Sequence, residues 1–123
     1  MKTNILRLAL AILATTTAAQ SLAQEEDRMP VRDLKPLLKA AIEHGMARGV
    51  LVGDGAAYVR QRFDTSAPIE IDVKSLQALP QPRCSRLEVT TRQLGVLETG
   101  NRHDKELVYQ VSYCRDGTFP EKR

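Results

Sequence analysis

The C-terminal third of the chain contains two alternating segments that match each other, and this match constrains the fold more than any other feature. Residues 86–91 alternate polar and apolar side chains, and so do residues 106–113. Thr99-Gly100-Asn101 lies midway between the two segments. Alternation with a period of two is typical of a strand with one buried face, and a central turn folds two such strands into an antiparallel pair. We therefore expect a β-hairpin over residues 84–114.

The cysteines support this hairpin independently. In the simplest register the apolar partners share one face: Leu87 with Val111, Val89 with Tyr109, and Thr91 with Leu107. The same register sets Cys84 opposite Cys114, the only two cysteines of the chain. An isolated pair in an exported protein predicts a structural disulfide, here at the open end of the hairpin. Gly95 is a candidate bulge position, and one extra residue there would shift the pairing of the strands.

The first 23 residues have the pattern of a secretory signal peptide. Lys2 precedes an apolar run from Ile5 to Ala14, and Ser21-Leu22-Ala23 supplies small side chains before Gln24. A retained membrane anchor needs about 20 apolar residues, which this run does not reach. We expect cleavage after Ala23, a single small domain over residues 24–123, and a periplasmic or secreted location without a stable membrane anchor.

The charge balance argues against a nucleic-acid-binding protein. The chain has 18 Lys and Arg against 15 Asp and Glu. Lys2 and Arg7 lie in the leader, so the mature chain has 16 basic against 15 acidic residues. Nucleic-acid binders concentrate positive charge and interleave aromatic side chains for stacking, whereas this chain has three Tyr, two Phe and no Trp.

The N-terminal half of the mature chain has helical periodicity. Five apolar residues between Asp33 and Gly45 recur at spacings of three and four, as on one stripe of a helix: Leu34, Leu37, Leu38, Ala41 and Ile42. Ala56, Val59 and Phe63 predict a second helix in the same way. The apolar run between Gly49 and Gly53 fits either a buried connector or a short strand. We interpret residues 33–63 as a helical hairpin, preceded by a frayed lead-in over residues 24–30.

The segment between the helices and the hairpin predicts one further strand. Residues 68–73 alternate apolar and charged side chains. Residues 75–82 contain Leu76 and Leu79 and end at Pro80 and Pro82, which favours a one-turn helix or a loop. The expected fold class is therefore α+β, with an N-terminal helical hairpin packed on a small antiparallel sheet that includes the disulfide-closed C-terminal hairpin.

No catalytic, cofactor or metal site is predicted. The candidate acids, bases and nucleophiles do not form a recognisable set; they are His44, His103, Glu43, Asp54, Asp72 and Glu88. The serines lack a nucleophile-elbow setting, and the glycines lack the spacing of a phosphate-binding loop. The cysteines lack the close pairing typical of zinc sites. We therefore expect a protein without enzymatic activity.

One group of charged residues is a candidate partner-binding surface. Arg86 and Arg92 fall on the hairpin face opposite Leu87 and Val89. Arginine pairs well with carboxylates and is enriched at binding hot spots, so this face could dock an acidic protein partner. The alternative is a solvated face on which Glu88 lies between the two arginines.

Three passages resemble a known group of proteins: Ala41-Ile42-Glu43-His44-Gly45 with Gly49-Val50, the stretch from Phe63 to Val73, and Cys84-Ser85-Arg86-Leu87-Glu88-Val89. Together with the leader, they resemble small exported proteins encoded beside type IV secretion and conjugative-transfer genes on bacterial plasmids, including the killing-associated Kik type. The resemblance implies a periplasmic accessory protein of a transfer apparatus. It implies no enzymatic activity and supplies no catalytic residues.

Non-catalytic protein binding is therefore the expected function. Two alternatives stay open. One is a small cell-wall hydrolase whose site is assembled from scattered residues. The other is an enzyme inhibitor that presents a rigid loop such as Leu94 to Arg102. The sequence predicts neither the identity of the partner nor the oligomeric state.

Overall fold

The computed structural model describes residues 27–121. The predicted signal peptide and its cleavage after Ala23 lie outside these residues. Five strands and two helices follow one another in the order β1 (Met29–Val31), α1 (Lys35–His44), β2 (Met46–Leu51), α2 (Asp54–Arg62), β3 (Glu70–Ala78), β4 (Cys84–Glu98) and β5 (Asn101–Cys114).

The strands form one sheet in the order β1-β2-β3-β4-β5, and the fold class is α+β as predicted. The predicted antiparallel sheet is wrong at one edge: β1 runs parallel to β2, all other neighbouring pairs are antiparallel, and the sheet is therefore mixed. The predicted N-terminal helical hairpin is wrong, because the connector between the helices is strand β2. Gly45 adopts a left-handed conformation with φ 88° that ends α1 and reverses the chain. The following residues then pair with β3 on one side and β1 on the other, so their backbone groups take part in the sheet.

The predicted frayed lead-in is also wrong over residues 27–30. β1 adds a short parallel strand to the sheet, and Arg28 just before it is 9% exposed. The Arg28 guanidinium lies 2.7 Å from a Glu70 carboxylate oxygen and 2.9 Å from Asp72 Oδ1. It also donates a hydrogen bond of 3.1 Å to the Gly49 carbonyl oxygen. A buried arginine with several partners reaches from β1 across β2 to β3, and this anchors the start of the domain.

β3 is longer than the sequence predicts. It continues through Ala78, so the helix or loop expected over residues 75–82 is wrong as far as that residue. A register shift between Ser75 and Gln77 marks an irregularity in its pairing with β4. Pro80 and Pro82 fall in the connection to β4, where the missing N–H groups interrupt no ladder.

The disulfide-closed hairpin is confirmed in detail. Each apolar pair of the expected register is present, and Cys84 is bonded to the opposite Cys114. The register shifts between Gln93 and Val96, where Gly95 has φ 64°, so the bulge is confirmed as well. Thr99 and Gly100 form a two-residue turn with φ 47° and 82°. Two positive φ values are typical of a type I′ turn, whose twist matches that of the paired strands.

α1 forms the main core with one face of the sheet. Leu37 and Ala41 are completely buried, and Leu37 lies directly over Gly49 of β2. The other members of this core are Val31, Leu38, Ile71, Val73, Leu87, Val89 and Tyr113. We call this side of the sheet the helix side and the opposite one the polar side.

Both helices are short. Within residues 27–121, none is long and apolar enough to cross a membrane. The Cys84–Cys114 disulfide is typical of an oxidising compartment outside the cytoplasm.

Candidate protein-binding surfaces

The helix side of the sheet is only partly covered, because α1 is much shorter than the hairpin beneath it. α1 has 10 residues, whereas β4 has 15 and β5 has 14. At 1.5 Å per helical residue and about 3.4 Å per strand residue, a helix of about 15 Å faces strands of about 45–50 Å. α1 also lies mainly across β2 and β3. Within residues 27–121, α1 therefore leaves a large part of the apolar hairpin face open.

The uncovered area contains an apolar groove of about 570 Å³, which we call the helix-side groove. Its wall is the start of α1, its floor consists of side chains from the sheet, and its far end is formed by the C-terminal segment. The lining residues are Asp33, Leu34, Lys35, Leu38, Leu51, Ile69, Ile71, Thr91, Tyr109, Val111, Tyr113 and Phe119. Apolar side chains predominate, so the groove suits aliphatic or aromatic groups.

Two aromatic residues give the groove its exposed borders. Phe119 is 68% exposed, and its ring packs edge-to-face on Tyr113 with 5.5 Å between the ring centroids. The segment carrying Phe119 is held by Asp116, which accepts hydrogen bonds from the Thr118 amide and hydroxyl groups. At the other border Tyr109 is 41% exposed, and partial burial raises the pKa of its hydroxyl. Ordered aromatic side chains of this kind are common anchors of protein interfaces.

A smaller depression of about 240 Å³ adjoins the groove and shares Ile69 and Thr91 with it. It lies between the end of α2 and the hairpin, where Phe63 and Leu107 contribute to its lining. The Lys105 ammonium lies 5.2 Å from the centroid of the Phe63 ring, within the range of a cation–π contact. The apolar surface therefore continues from the groove toward the tip of the hairpin.

The predicted Arg86 and Arg92 surface lies on the polar side of the sheet. Arg86 donates hydrogen bonds to Gln110 Oε1 at 3.0 Å and to Ser112 Oγ at 3.2 Å. Arg92 pairs with Glu106 at 3.2 Å. Both arginines are thus engaged by neighbours on β5, and an acidic partner would have to compete with these neighbours. Docking at this face stays a prediction, and the double variant Arg86→Glu with Arg92→Glu tests it: unchanged partner capture would contradict it.

The residues considered for catalysis are dispersed over the fold. His44 lies at the end of α1, 3.7 Å from Glu43, which itself pairs with Arg115. His103 lies near the tip of the hairpin, 3.3 Å from Glu98. The other three are Asp54 at the start of α2, Asp72 on β3 beside Arg28 and Arg48, and Glu88 on β4 beside Lys74. Between residues 27 and 121, no three His, Cys, Asp or Glu side chains are placed to hold a metal ion.

The segment from Leu94 to Arg102, which the inhibitor alternative would use, forms the end of the hairpin rather than a separate loop. The Arg102 guanidinium donates hydrogen bonds of 2.7 Å to both the backbone oxygen and the carboxylate of Asp64. At the same end, a hydrogen bond from Lys105 holds the pKa of Glu98 below its usual value. The hairpin tip is therefore tied to the segment that follows α2.

Sequence reasoning missed the groove and the role of Phe119. The available signal was the length mismatch between a helix of about three turns and two long strands. In comparisons with protein-family models, curated proteins and solved structures, the chain matches none.

Proposed function

We propose that this chain is an exported, non-catalytic protein-binding protein whose partner inserts apolar side chains into the helix-side groove. The observation that carries the proposal is the open apolar floor of this groove between Phe119 and Tyr109. Contiguous apolar surface of this kind is costly to expose to water and often marks a site of protein contact. The groove offers few polar groups that could orient a small polar metabolite, which favours a protein segment as the ligand.

The proposed setting is the bacterial periplasm, where the protein would act as an accessory of a type IV secretion or conjugative-transfer apparatus. The signal-peptide pattern of residues 1–23 supports export. The disulfide supports an oxidising compartment. The resemblance to the Kik-type exported proteins supports the assignment to a transfer apparatus.

The absence of catalysis is part of the proposal. An active site requires a nucleophile or base that is held beside a second functional group. Here His44 and His103 lie on different elements, and each contacts a carboxylate on the protein surface. These positions support roles as exposed polar surface residues.

Site-specific photocrosslinking tests the binding proposal. A photoreactive phenylalanine analogue replaces Phe119 at the groove, and the control carries the same analogue in place of Tyr58 on α2. The two positions are a matched pair because both side chains are 68% exposed. We expect ultraviolet light to yield one discrete protein adduct from position 119 in intact cells, and none of that mass from position 58.

A groove-filling substitution establishes whether the adduct depends on the groove. Thr91→Trp enlarges a side chain on the groove floor and should abolish the adduct, while the thermal unfolding midpoint stays close to that of the parent. Equal adducts from both positions, no adduct from position 119, or an adduct that persists in a folded Thr91→Trp variant would contradict the proposal.

A further inference from the structure

The Cys84–Cys114 disulfide lies between two chain segments that bond to the backbones of its cysteines. The Cys84 carbonyl oxygen accepts a hydrogen bond of 2.9 Å from the Leu79 amide, in the connection between β3 and β4. The Cys114 amide donates one of 2.9 Å to the Thr118 carbonyl oxygen, and the Cys114 carbonyl oxygen accepts one of 3.0 Å from the Gly117 amide. Each cysteine therefore holds one of the two segments that leave the hairpin at its open end.

These two segments are also bonded to each other beside the disulfide. The C-terminal segment comprises residues 115–121. Its Arg115 amide donates a hydrogen bond of 2.8 Å to the Arg83 carbonyl oxygen, and its Glu121 amide donates one of 3.0 Å to Gln81 Oε1. Both acceptors belong to the connection between β3 and β4, so the C-terminal segment is attached to the domain next to the paired cysteines.

The far end of the helix-side groove belongs to this C-terminal segment. Phe119 lines the groove, and its ring packs on Tyr113, the residue before the second cysteine. Arg115 also pairs with Glu43 of α1 at 3.0 Å, but both side chains are exposed, and exposed ion pairs contribute little stability. The main core is formed by residues that precede the segment. The position of Phe119 therefore depends mainly on the contacts beside the disulfide.

Cys84 and Cys114 form the last pair of the β4–β5 ladder. A pair at the end of a ladder has a paired neighbour on one side only, so it opens more readily than the pairs within the ladder. The covalent bond keeps the two strand ends together, whereas two thiols leave them free to separate. Separation would carry the C-terminal segment away from the β3–β4 connection and break the hydrogen bond between Arg115 and Arg83.

We propose that the disulfide is a redox switch for the helix-side groove. In the oxidised protein the bond between Cys84 and Cys114 holds the C-terminal segment in place, and Phe119 completes the end of the groove. Reduction releases the segment and opens this end, while the core between α1 and the sheet stays folded. The switch therefore acts on the border of the groove and leaves its floor intact.

The bond forms by thiol–disulfide exchange with an oxidant that itself carries a disulfide. One cysteine thiolate attacks the disulfide of the oxidant, and the thiolate of the other cysteine then displaces the oxidant from the mixed disulfide. Two electrons pass from the cysteine sulfur atoms to the oxidant, which takes up the two thiol protons and leaves as two thiols. Reduction by a dithiol is the reverse of this sequence.

Burial protects the switch once the domain has folded. Cys84 and Cys114 are 2% and 3% exposed. The attacking thiolate must reach one of the two sulfur atoms, so exchange requires the C-terminal segment to move away first. We therefore expect the bond to form before this segment docks, and to persist after docking.

The consequence for binding rests on the proposed function. The cytoplasm keeps thiols reduced, whereas compartments outside it allow disulfides to form. A chain that is still reduced would lack the Phe119 border, so the groove would be complete only after export. Binding of a partner would then be confined to the compartment in which the disulfide forms.

Amide hydrogen exchange of the purified protein tests the switch. In the double variant Cys84→Ala with Cys114→Ala, protection of the Arg115 amide should fall about tenfold or more relative to the Leu51 amide, which donates to a carbonyl oxygen inside the domain. Leu37→Ala is the control for general loss of stability, because it weakens the core without touching the C-terminal segment; there the relative protection of Arg115 should not fall. An unchanged relative protection in the double variant, or an equal fall in both proteins, would overturn the proposal.

A second measurement does not require the cysteine-free domain to fold. Coupling between two events is reciprocal, so a change that weakens docking of the C-terminal segment must also favour reduction. Arg115→Pro removes the amide that bonds to Arg83, and it should shift the equilibrium with a buffer of oxidised and reduced dithiothreitol toward the dithiol by about threefold or more. Arg115→Ala is the matched control, because it removes the same side chain and keeps the amide.

We expect Arg115→Ala to stay close to the parent protein in this equilibrium. Equal equilibria in the parent and both variants would overturn the proposal, because the C-terminal segment would then be independent of the disulfide. Neither measurement involves a partner, whereas photocrosslinking from Phe119 does. Failure of the switch and failure of groove binding are therefore distinguishable.

Discussion

Adding one methyl group at Gly49 should destabilise the domain, because α1 lies directly on this position. A Cβ built there would lie 2.6 Å and 2.8 Å from the two terminal methyl carbons of Leu37 and 3.0 Å from the Met29 carbonyl oxygen. Carbon atoms in contact normally stay about 3.5–4.0 Å apart. Leu37 is completely buried, and Met29 is held by the β1–β2 pairing. Relief therefore requires the Leu37 side chain, or α1 together with it, to move by about 1 Å inside a packed core.

The magnitude follows from two opposing terms. Overpacking of a core costs about 1–3 kcal/mol. Replacing glycine by alanine returns about 0.4–1 kcal/mol through the smaller entropy of the unfolded chain. Gly49→Ala should therefore lower the free energy of unfolding by about 1–2 kcal/mol. Gly55→Ala in α2 is the matched control, because a Cβ there meets nothing within 4 Å, and this variant should be neutral or stabilising.

A double-mutant cycle measured by urea unfolding identifies the contact. Leu37→Ala alone should cost about 2–5 kcal/mol through the cavity that it leaves. In the double variant the new methyl group occupies part of this cavity, so the combined loss should be smaller than the sum by about 1 kcal/mol or more. Additive losses, or a Gly49→Ala variant as stable as the parent, would refute the close packing of α1 on β2.

Three further predictions concern the hairpin and the C-terminal segment. Replacing both Cys84 and Cys114 with Ala should lower the free energy of unfolding by about 3–4 kcal/mol, since the disulfide closes a loop with a sequence separation of 30; an unchanged urea midpoint would contradict this. Tyr113→Phe should keep or raise stability by about 1 kcal/mol, because the buried hydroxyl has no hydrogen-bond partner among residues 27–121, and a loss above 1 kcal/mol would be inconsistent with that environment. Hydrogen bonds from Thr118 hold the pKa of Asp116 below its usual 3.8, so they stabilise the fold above that value and this contribution disappears as the pH falls through the lowered pKa. Thr118→Val should raise the Asp116 pKa in an NMR titration and Thr118→Ser should not; equal values in both variants would exclude the hydroxyl as the cause.

The disulfide-closed hairpin could be predicted from the sequence because several local signals agree there. The alternating pattern fixes which side chains share a face, Thr99 and Gly100 supply the turn, and the two cysteines check the register. An error of one residue would have moved every apolar side chain to the wrong face. In this part of the chain, the local alternation of side chains therefore predicts which residues pair across the two strands.

The N-terminal half could not be predicted to the same degree because its strands depend on partners distant in sequence. β1 and β2 are too short for periodicity to distinguish strand from connector. From the sequence, Arg28 is expected to be exposed, because its partners Glu70 and Asp72 are more than 40 residues away. In the sequence, Gly49 looks like a residue that separates two helices. In the structure, its missing side chain leaves room for Leu37. The groove likewise depends on how far α1 extends over the hairpin.

Radical footprinting of Phe119 in living cells tests most directly whether the helix-side groove is occupied by a partner. Hydroxyl radicals label exposed aromatic side chains, and Tyr58 is an internal reference because it is as exposed as Phe119 in the isolated chain. The account predicts that both residues are labelled in the purified protein, and that labelling of Phe119 falls relative to Tyr58 in intact cells. An unchanged labelling ratio between cells and purified protein would contradict it.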